Sequence, residues 1–238
     1  MRLGLIQTRG IGDLVIALPI AQHFVALGHE VHWPVDSRFL GFMAAAAPEV
    51  RFHPIDPSDT GDQTPAYFYD APLAVLQGLG CDAIQCLYSY LTGRDVVNEK
   101  LARALKFDEY KYAVTGVPFS RKWDLRIRRD AAREQALFDS LGVRGPYVLV
   151  HATASGASIN VNLAPQLVAG RQVIELTERT DNPFDWLLAL ERASLLVLID
   201  SVFANLVEQL NFPNPKILML KAAEVPFTPV FKNGWTFY

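Results

Sequence analysis

The sequence has little that would build a disulfide framework, a nucleic-acid-binding surface or a membrane span. Only two of the 238 residues are cysteine, a number typical of proteins from a reducing compartment. The 22 Lys and Arg against 25 Asp and Glu leave a formal net charge of −3, so no positive field favours nucleic acid. The most apolar segment, residues 14–27, is shorter than the ~20 residues of a transmembrane helix. We expect a protein without signal peptide or integral membrane segment, located in the cytoplasm or peripherally at the inner face of a membrane.

Apolar residues, in contrast, are plentiful. Half of the chain is hydrophobic and 11% is aromatic, which excludes a disordered or collagen-like protein because such chains cannot bury a core of this size. A length of 238 residues fits one or two domains.

Short apolar runs alternate with segments of helical periodicity, a pattern typical of parallel sheets covered by helices on both faces. We therefore predict an α/β fold of two Rossmann-like lobes. Residues 106–125 break the alternation and are predicted to contain the linker, with the first lobe at 1–115 and the linker and second lobe at 116–238. The predicted strands are 3–8, 30–35, 50–55, 83–87, 147–150, 172–176, 195–199 and 216–220. The predicted helices are 14–27, 39–47, 67–79, 96–105, 130–141, 184–193 and 202–210.

A glycine-rich turn, Gly10-Ile11-Gly12-Asp13, follows the first predicted strand. Backbone N–H groups in such a turn, beside a helix N-terminus, form an anion site. The turn fails as a dinucleotide fingerprint because Val15 stands where the third glycine belongs. Asp13 has two interpretations: an N-cap of the following helix, or a general base.

Two further segments follow predicted strands of the second lobe. Asp200 and Ser201 come directly after the apolar run 195–199, where parallel sheets bind ligands, although both residue types are also common N-caps. The loop that begins at His151 is rich in small hydroxyl residues and glycine, which suits a diphosphate but also an ordinary surface loop. His151 itself is interpreted as structural. The histidines and cysteines lack the spacing of a metal site, so we expect no metal.

Several of these segments together resemble the ADP-heptose:lipopolysaccharide heptosyltransferase family. The opening RLGLIQTRGIGDLVIALP (residues 2–19) is similar to the start of that family. In the second lobe, VLVHAT (148–153) resembles its donor loop. The run from VIELT (173–177) to Thr180, then WLLALERA (186–193) and Asp200-Ser201, resembles its C-terminal signature.

The resemblance implies a GT-B fold, with the acceptor on the first lobe and a nucleotide-diphosphate sugar on the second, across an interlobe cleft. It also implies an inverting, metal-independent transferase without a further cofactor, in which Asp13 deprotonates a hydroxyl acceptor. That acceptor belongs to a glycolipid, a glycan or a modified nucleic-acid base. The residues expected to bind the donor are Gly10, Ile11, Gly12, Thr153, Ser155, Ser158, Thr180, Asp200, Ser201 and Asn205.

The chain departs from the family at three positions. Val202 and Asn205 stand where the family usually has Gly and His, and Ser158 stands where it has Lys. One alternative is therefore a non-catalytic nucleotide-binding or nucleotide-sugar-binding protein with the same frame. A second alternative is a dinucleotide-dependent oxidoreductase in which Asp36 grips a ribose.

Overall fold

The computed structural model describes residues 1–57, 64–154, 157–220 and 228–238. These residues form two compact units. The first unit comprises the described residues up to Arg128 together with residues 228–230, and the second comprises those from Arg129 to residue 220 together with Phe231–Tyr238. Each unit contains its own parallel sheet, so the prediction of an α/β fold with two parallel-sheet lobes is confirmed.

The first unit is built on a four-stranded sheet in the order β3-β2-β1-β4, with every neighbouring pair parallel. The inner strand β1 is buried from Leu3 to Ile6. Because all four strands run the same way, their carboxyl ends lie at one edge of the sheet, where parallel sheets bind ligands. The strands are β1 (Arg2–Ile6), β2 (Glu30–Asp36), β3 (Arg51–Ile55) and β4 (Ala83–Cys86).

The helices of the first unit cover this sheet. The first of them is buried continuously from Leu14 to Gln22, as its apolar sequence predicts, because a helix that is apolar on all sides is stable only when enclosed. The helices are α1 (Ile11–Ala26), α2 (Ser37–Ala46), a π-helix at Ala66–Asp70, α3 (Ala71–Gly78), α4 (Glu99–Ala104), α5 (Phe107–Thr115) and a 3₁₀ helix at Phe119–Asp124.

The second unit is built on a five-stranded parallel sheet in the order β11-β10-β9-β5-β8. Strands β5 and β9 are buried along their whole length. The strands are β5 (Tyr147–His151), β8 (Gln172–Glu175), β9 (Leu195–Ile199), β10 (Lys216–Met219) and β11 (Trp235–Phe237), and a hairpin of β6 (Thr153–Ala154) and β7 (Ala157–Ser158) follows β5. The helices are α6 (Ala131–Ser140), α7 (Pro165–Val168), a 3₁₀ helix at Pro183–Trp186, α8 (Leu187–Arg192) and α9 (Val202–Gln209).

The structure differs most from the sequence prediction in residues 106–125. This segment, predicted to contain the linker, supplies α5 and the following 3₁₀ helix to the first unit. Helix α5 packs against α1, and the buried hydroxyl of Tyr112 donates a hydrogen bond to the carbonyl of Ile16 over 2.9 Å. The observed division between the units therefore lies after Arg128, not after residue 115.

None of the helices in the described ranges has the length and hydropathy of a membrane-spanning segment.

Candidate functional site

The turn after β1 places Asp13 at the carboxyl edge of the first sheet. Gly10 precedes the first residue of α1 with a φ of 82°, a left-handed conformation that favours glycine. Asp13 lies within the first turn of the helix, so the N-cap interpretation of Asp13 is wrong. A side chain on Gly10 would also collide with Asp13, because a Cβ there would lie 2.7 Å from the Asp13 Oδ2 atom.

The Asp13 carboxylate is held by a buried lysine. Its Oδ1 atom lies 2.9 Å from the Nζ atom of Lys111, which is 2% exposed, whereas the Asp13 side chain is 35% exposed. The lysine Nζ also donates to Gln7 Oε1 over 2.7 Å and to the carbonyl of Leu87 over 3.3 Å. The site in the first unit is thus a partly exposed carboxylate that is held by an ion pair with a buried lysine.

Sequence reasoning missed Lys111 because residues 106–125 were interpreted as linker. A signal was present: Phe107, Tyr110 and Val114 recur at helical spacing, which predicts a packed helix. A lysine beside two tyrosines on the buried face of such a helix needs an anionic or carbonyl partner.

Gly10, Ile11 and Gly12 were predicted with the donor-binding residues. The structure places them in the first unit beside Asp13, and places the other described residues of that set in the second unit. Ile11 and Gly12 are the first two residues of α1, where the N–H groups have no partner within the helix.

In the second unit, neighbouring strands β5 and β9 bring His151 and Ser201 together. The His151 Nδ1 atom lies 3.1 Å from the Ser201 Oγ atom, and the imidazole packs edge-on against Phe203 with the ring centroids 4.8 Å apart. Burial lowers the pKa of His151 to about 4, since a desolvated imidazole resists becoming charged. His151 is therefore neutral near neutral pH and adds no positive charge to this edge.

Ser201 stands at the N-cap of α9, and its side chain caps no helix N–H. Asn205 lies one turn further on, and its Nδ2 atom donates to the Ser201 carbonyl over 2.9 Å. The buried Asn205 Oδ1 atom has no hydrogen-bond partner among the residues that the structure describes. Asp200 is buried at the end of β9, and its N–H donates to the carbonyl of Met219 over 3.1 Å. The structure therefore brings Ser201 to His151 and Asn205 to Ser201, with Asp200 next to Ser201 in the chain.

The predicted donor loop begins directly after His151. Thr153 and Ser158 face each other across the antiparallel hairpin of β6 and β7, and both are exposed. Ser155 lies outside the described residues. The hairpin therefore presents two exposed hydroxyl-bearing residues, and it begins two residues after His151 in the chain.

Thr180 takes part in a different arrangement. Its hydroxyl donates to Asp185 Oδ2 over 2.5 Å and accepts from the N–H of Asn182 over 3.2 Å. The guanidinium of Arg133 holds the same aspartate at 2.8 Å. This network stabilises the start of the 3₁₀ helix at Pro183–Trp186, a structural function that the sequence did not indicate.

Asp36 cannot serve as the ribose-binding residue of an oxidoreductase. Its carboxylate is fully buried and accepts hydrogen bonds from Arg38 and from the hydroxyl of Tyr67, the latter over 2.5 Å. Although burial acts to raise it, the pKa of Asp36 is held below its ordinary value by these hydrogen bonds. The Asp36 side chain caps the N-terminus of α2. The structure therefore argues against the dinucleotide-dependent oxidoreductase, which required Asp36 to bind a ribose.

An open cavity of about 380 Å³ lies at the opposite edge of the first sheet, near the amino ends of its strands. Ligands of parallel sheets bind at the carboxyl ends, so we do not assign this cavity to the site. The residues that line the cavity are Met1, Arg2, Gly28, Glu30, Gly80 and Asp82.

In residues 1–57, 64–154, 157–220 and 228–238, no three His, Cys, Asp or Glu side chains come together as a metal-binding group.

No protein-family model and no curated protein matches the chain. Solved glycosyltransferase structures do match it over its whole length. A glycosyl transferase of family 9 from Veillonella parvula has a TM-score of 0.68 at 12% identity, and 86% of that protein is covered. The E. coli ADP-heptose LPS heptosyltransferase II has a TM-score of 0.61 at 12% identity, with 90% covered.

The dodecameric glycosyltransferase TibC of enterotoxigenic E. coli also matches, with a TM-score of 0.58 at 15% identity, but this chain spans only 62% of the TibC chain. At such low identities the likeness is evidence of the fold. The chain thus has the two-sheet α/β fold of the heptosyltransferase-like GT-B glycosyltransferases, as the resemblance of its motifs predicts.

Proposed function

We propose that this protein is an inverting glycosyltransferase that moves a sugar from a nucleotide-diphosphate sugar to a hydroxyl acceptor, with Asp13 as the general base. One observation carries the proposal: in a chain with the fold of glycosyltransferases, a partly exposed carboxylate is fixed at the carboxyl edge of the first sheet. Solved structures of similar fold contain ADP-D-beta-D-heptose in TibC and ADP in the E. coli heptosyltransferase WaaC, which supports a nucleotide-diphosphate sugar as the donor.

In the proposed reaction, Asp13 takes the proton of the acceptor hydroxyl as its oxygen attacks the anomeric carbon. The bond between that carbon and the diphosphate oxygen breaks, and the departing nucleoside diphosphate keeps the electron pair. A single displacement of this kind inverts the anomeric configuration. A positioned general base typically contributes about 10²–10⁴-fold to the rate.

The second unit is proposed to hold the donor. The N-terminus of α9 offers backbone N–H groups and the positive end of the helix dipole to the developing diphosphate charge. Thr153 and Ser158 offer hydroxyl groups from the hairpin. Because the pKa of His151 is lowered to about 4, we assign charge stabilisation to the helix terminus and not to this histidine. The proposed mechanism therefore uses backbone donors in place of a metal ion.

The acceptor is proposed to be a hydroxyl compound: a glycolipid, another glycan or a modified nucleic-acid base. A panel of ADP- and UDP-sugars is screened first by thermal unfolding, because a ligand that binds the native state raises the Tm. Each stabilising donor is then tested with acceptor panels for release of the nucleoside diphosphate.

Asp13→Asn is expected to reduce transfer by about 100-fold or more, since the amide cannot take the acceptor proton. Its affinity for the nucleotide diphosphate, measured by calorimetry, should stay within about twofold of wild type, because the donor contacts are assigned to the second unit. Glu99→Gln is the matched control, because it neutralises an exposed carboxylate on α4 that pairs with Arg103.

Two outcomes would contradict the proposal. If Asp13→Asn turns over like wild type, Asp13 is not the base. If the wild-type protein is stabilised by nucleotide sugars but neither transfers nor hydrolyses any of them, the protein is the non-catalytic binding protein that the changes at Ser158, Val202 and Asn205 allow.

A further inference from the structure

Lys111 is the buried, charged partner of the proposed base Asp13. An ammonium group has three N–H donors, and the structure provides three acceptors: Asp13 Oδ1 at 2.9 Å, Gln7 Oε1 at 2.7 Å and the Leu87 carbonyl at 3.3 Å. All three donors therefore have a partner.

One of these three acceptors belongs to the first turn of α1, and the other two follow the ends of strands β1 and β4. Gln7 follows the last residue of β1, and Leu87 follows the last residue of β4, so the Lys111 ammonium lies where the carboxyl ends of two paired strands meet. Gln7 extends the connection, because its Nε2 atom donates to the carbonyl of Arg9 over 2.8 Å. Lys111 thus holds the first turn of α1 directly, through Asp13, and the loop before α1 indirectly, through Gln7.

The second carboxylate oxygen of Asp13 depends on the glycine at position 10 for its space. Its Oδ2 atom occupies the space that a side chain on Gly10 would need, 2.7 Å from the expected Cβ position. The carboxylate is thus held by an ion pair at one oxygen, while the other oxygen occupies space that only a glycine at position 10 leaves free.

We propose that Lys111 is a positioning residue for the transfer reaction. It fixes the Asp13 carboxylate through Oδ1 and leaves Oδ2 as the oxygen that accepts the proton of the acceptor hydroxyl. The proposal rests on the proposed function, since it requires Asp13 to act as the base. Positioning matters because a displacement of about 1 Å at a catalytic group can cost about 100-fold in rate.

The test is a double-mutant cycle of Asp13→Asn and Lys111→Met, because methionine keeps an unbranched apolar chain and removes the charge. Lys111→Met alone should lower kcat by about 10- to 100-fold, with the KM for the donor within about twofold of wild type. In the Asp13→Asn background, Lys111→Met should change kcat by less than about twofold, since its effect passes through the missing carboxylate.

A merely structural lysine gives a different result. In that case Lys111→Met lowers the Tm, and its effect on kcat is equal with and without Asp13, which would overturn the proposal. Lys216→Met is the matched control, because Lys216 is also buried and donates to the main chain, at the Phe212 carbonyl over 2.6 Å, but lies in the second unit. It should lower the Tm and leave kcat within about twofold.

Failure of the two proposals can be told apart. A wild-type protein that transfers no sugar refutes the proposed function and the positioning proposal together. An active wild type in which Asp13→Asn is inactive but the two substitutions act independently refutes only the role of Lys111.

Discussion

His151 is a buried histidine whose surroundings favour the uncharged form of its imidazole. The side chain is 7% exposed, and burial lowers the pKa of its imidazole to about 4. The neutral ring can keep one hydrogen bond to Ser201 and an apolar contact with Phe203. The residue is thus built into the second unit as an uncharged group.

This environment predicts a pH dependence of stability. In the unfolded chain the pKa of histidine is about 6.5. Between about pH 6.5 and pH 4, His151 is therefore protonated in the unfolded state but not in the native state. The pKa difference of His151 therefore contributes about 3 kcal/mol to the free energy of unfolding. This stabilisation is fully present above about pH 6.5 and is lost as the pH falls toward 4. Urea unfolding at pH 7.5, 6 and 5 should show about 2 kcal/mol of this loss by pH 5.

His151→Gln serves as the reference for this measurement, because glutamine retains a hydrogen-bonding group beside Ser201 but does not titrate. The free energy of unfolding of the variant should fall less steeply with decreasing pH than that of wild type. Parallel curves for the two proteins would show that His151 does not contribute. His53, whose pKa burial also lowers, titrates in both proteins and cancels in the comparison.

At the scale of elements, helix α9 and the last strand depend on one carboxylate. Glu208 is fully buried on α9, and its carboxylate accepts hydrogen bonds from the N–H of Lys232 over 3.0 Å and from Trp235 Nε1 over 2.7 Å. Strand β11 has three residues and pairs at the edge of the sheet with β10. A strand this short needs such side-chain support.

Glu208→Gln is therefore expected to loosen β11. The amide loses the charge that strengthens these hydrogen bonds, at a cost of about 1–3 kcal/mol. Hydrogen exchange followed by mass spectrometry should show faster exchange in residues 231–238, with exchange in β9 unchanged. Trp235→Phe, which removes only the indole donor, should have a smaller effect in the same direction. Unchanged protection of residues 231–238 in Glu208→Gln would refute this function of Glu208.

The elements also differ in how readily the sequence predicts them. Strand β9 was predicted with the observed bounds, because a buried central strand is a continuous apolar run. Helix α5 was missed because its buried residues are Asp108, Tyr110, Lys111 and Tyr112, which do not resemble a core by hydropathy. They are buried because each polar tip finds a partner elsewhere in the fold.

At the scale of the whole molecule, the chain returns to its first unit near its end. Both main-chain groups of Val230 are bound there: its N–H donates to Asp108 Oδ2 over 2.8 Å, and its carbonyl accepts from Lys122 Nζ over 2.6 Å. Asp108 and Lys122 also pair with each other at 2.7 Å, and both side chains are fully buried. This pair attaches residues 228–230 to the first unit.

Lys122→Met should destabilise the protein by about 3–5 kcal/mol, because it leaves the Asp108 charge buried without its cation. The double variant Asp108→Leu/Lys122→Met should be less destabilised than Lys122→Met, since no uncompensated charge remains. Guanidinium unfolding of the two variants and wild type makes the comparison. A double variant at least as unstable as Lys122→Met would show that the lost bonds to Val230 dominate.

The sequence by itself determined the alternation of strands and helices. It also placed Asp13 in the connection from the first strand to the first helix and Asp200 and Ser201 directly after β9, because these positions depend on local periodicity and on turn residues. Only the tertiary structure decided which groups these residues meet. Lys111 reaches Asp13 across 98 residues of chain, and His151 reaches Ser201 across 50. The physical reason is that strand order brings together side chains distant in sequence, and the burial of a polar group is tolerated only where the completed fold supplies its partner.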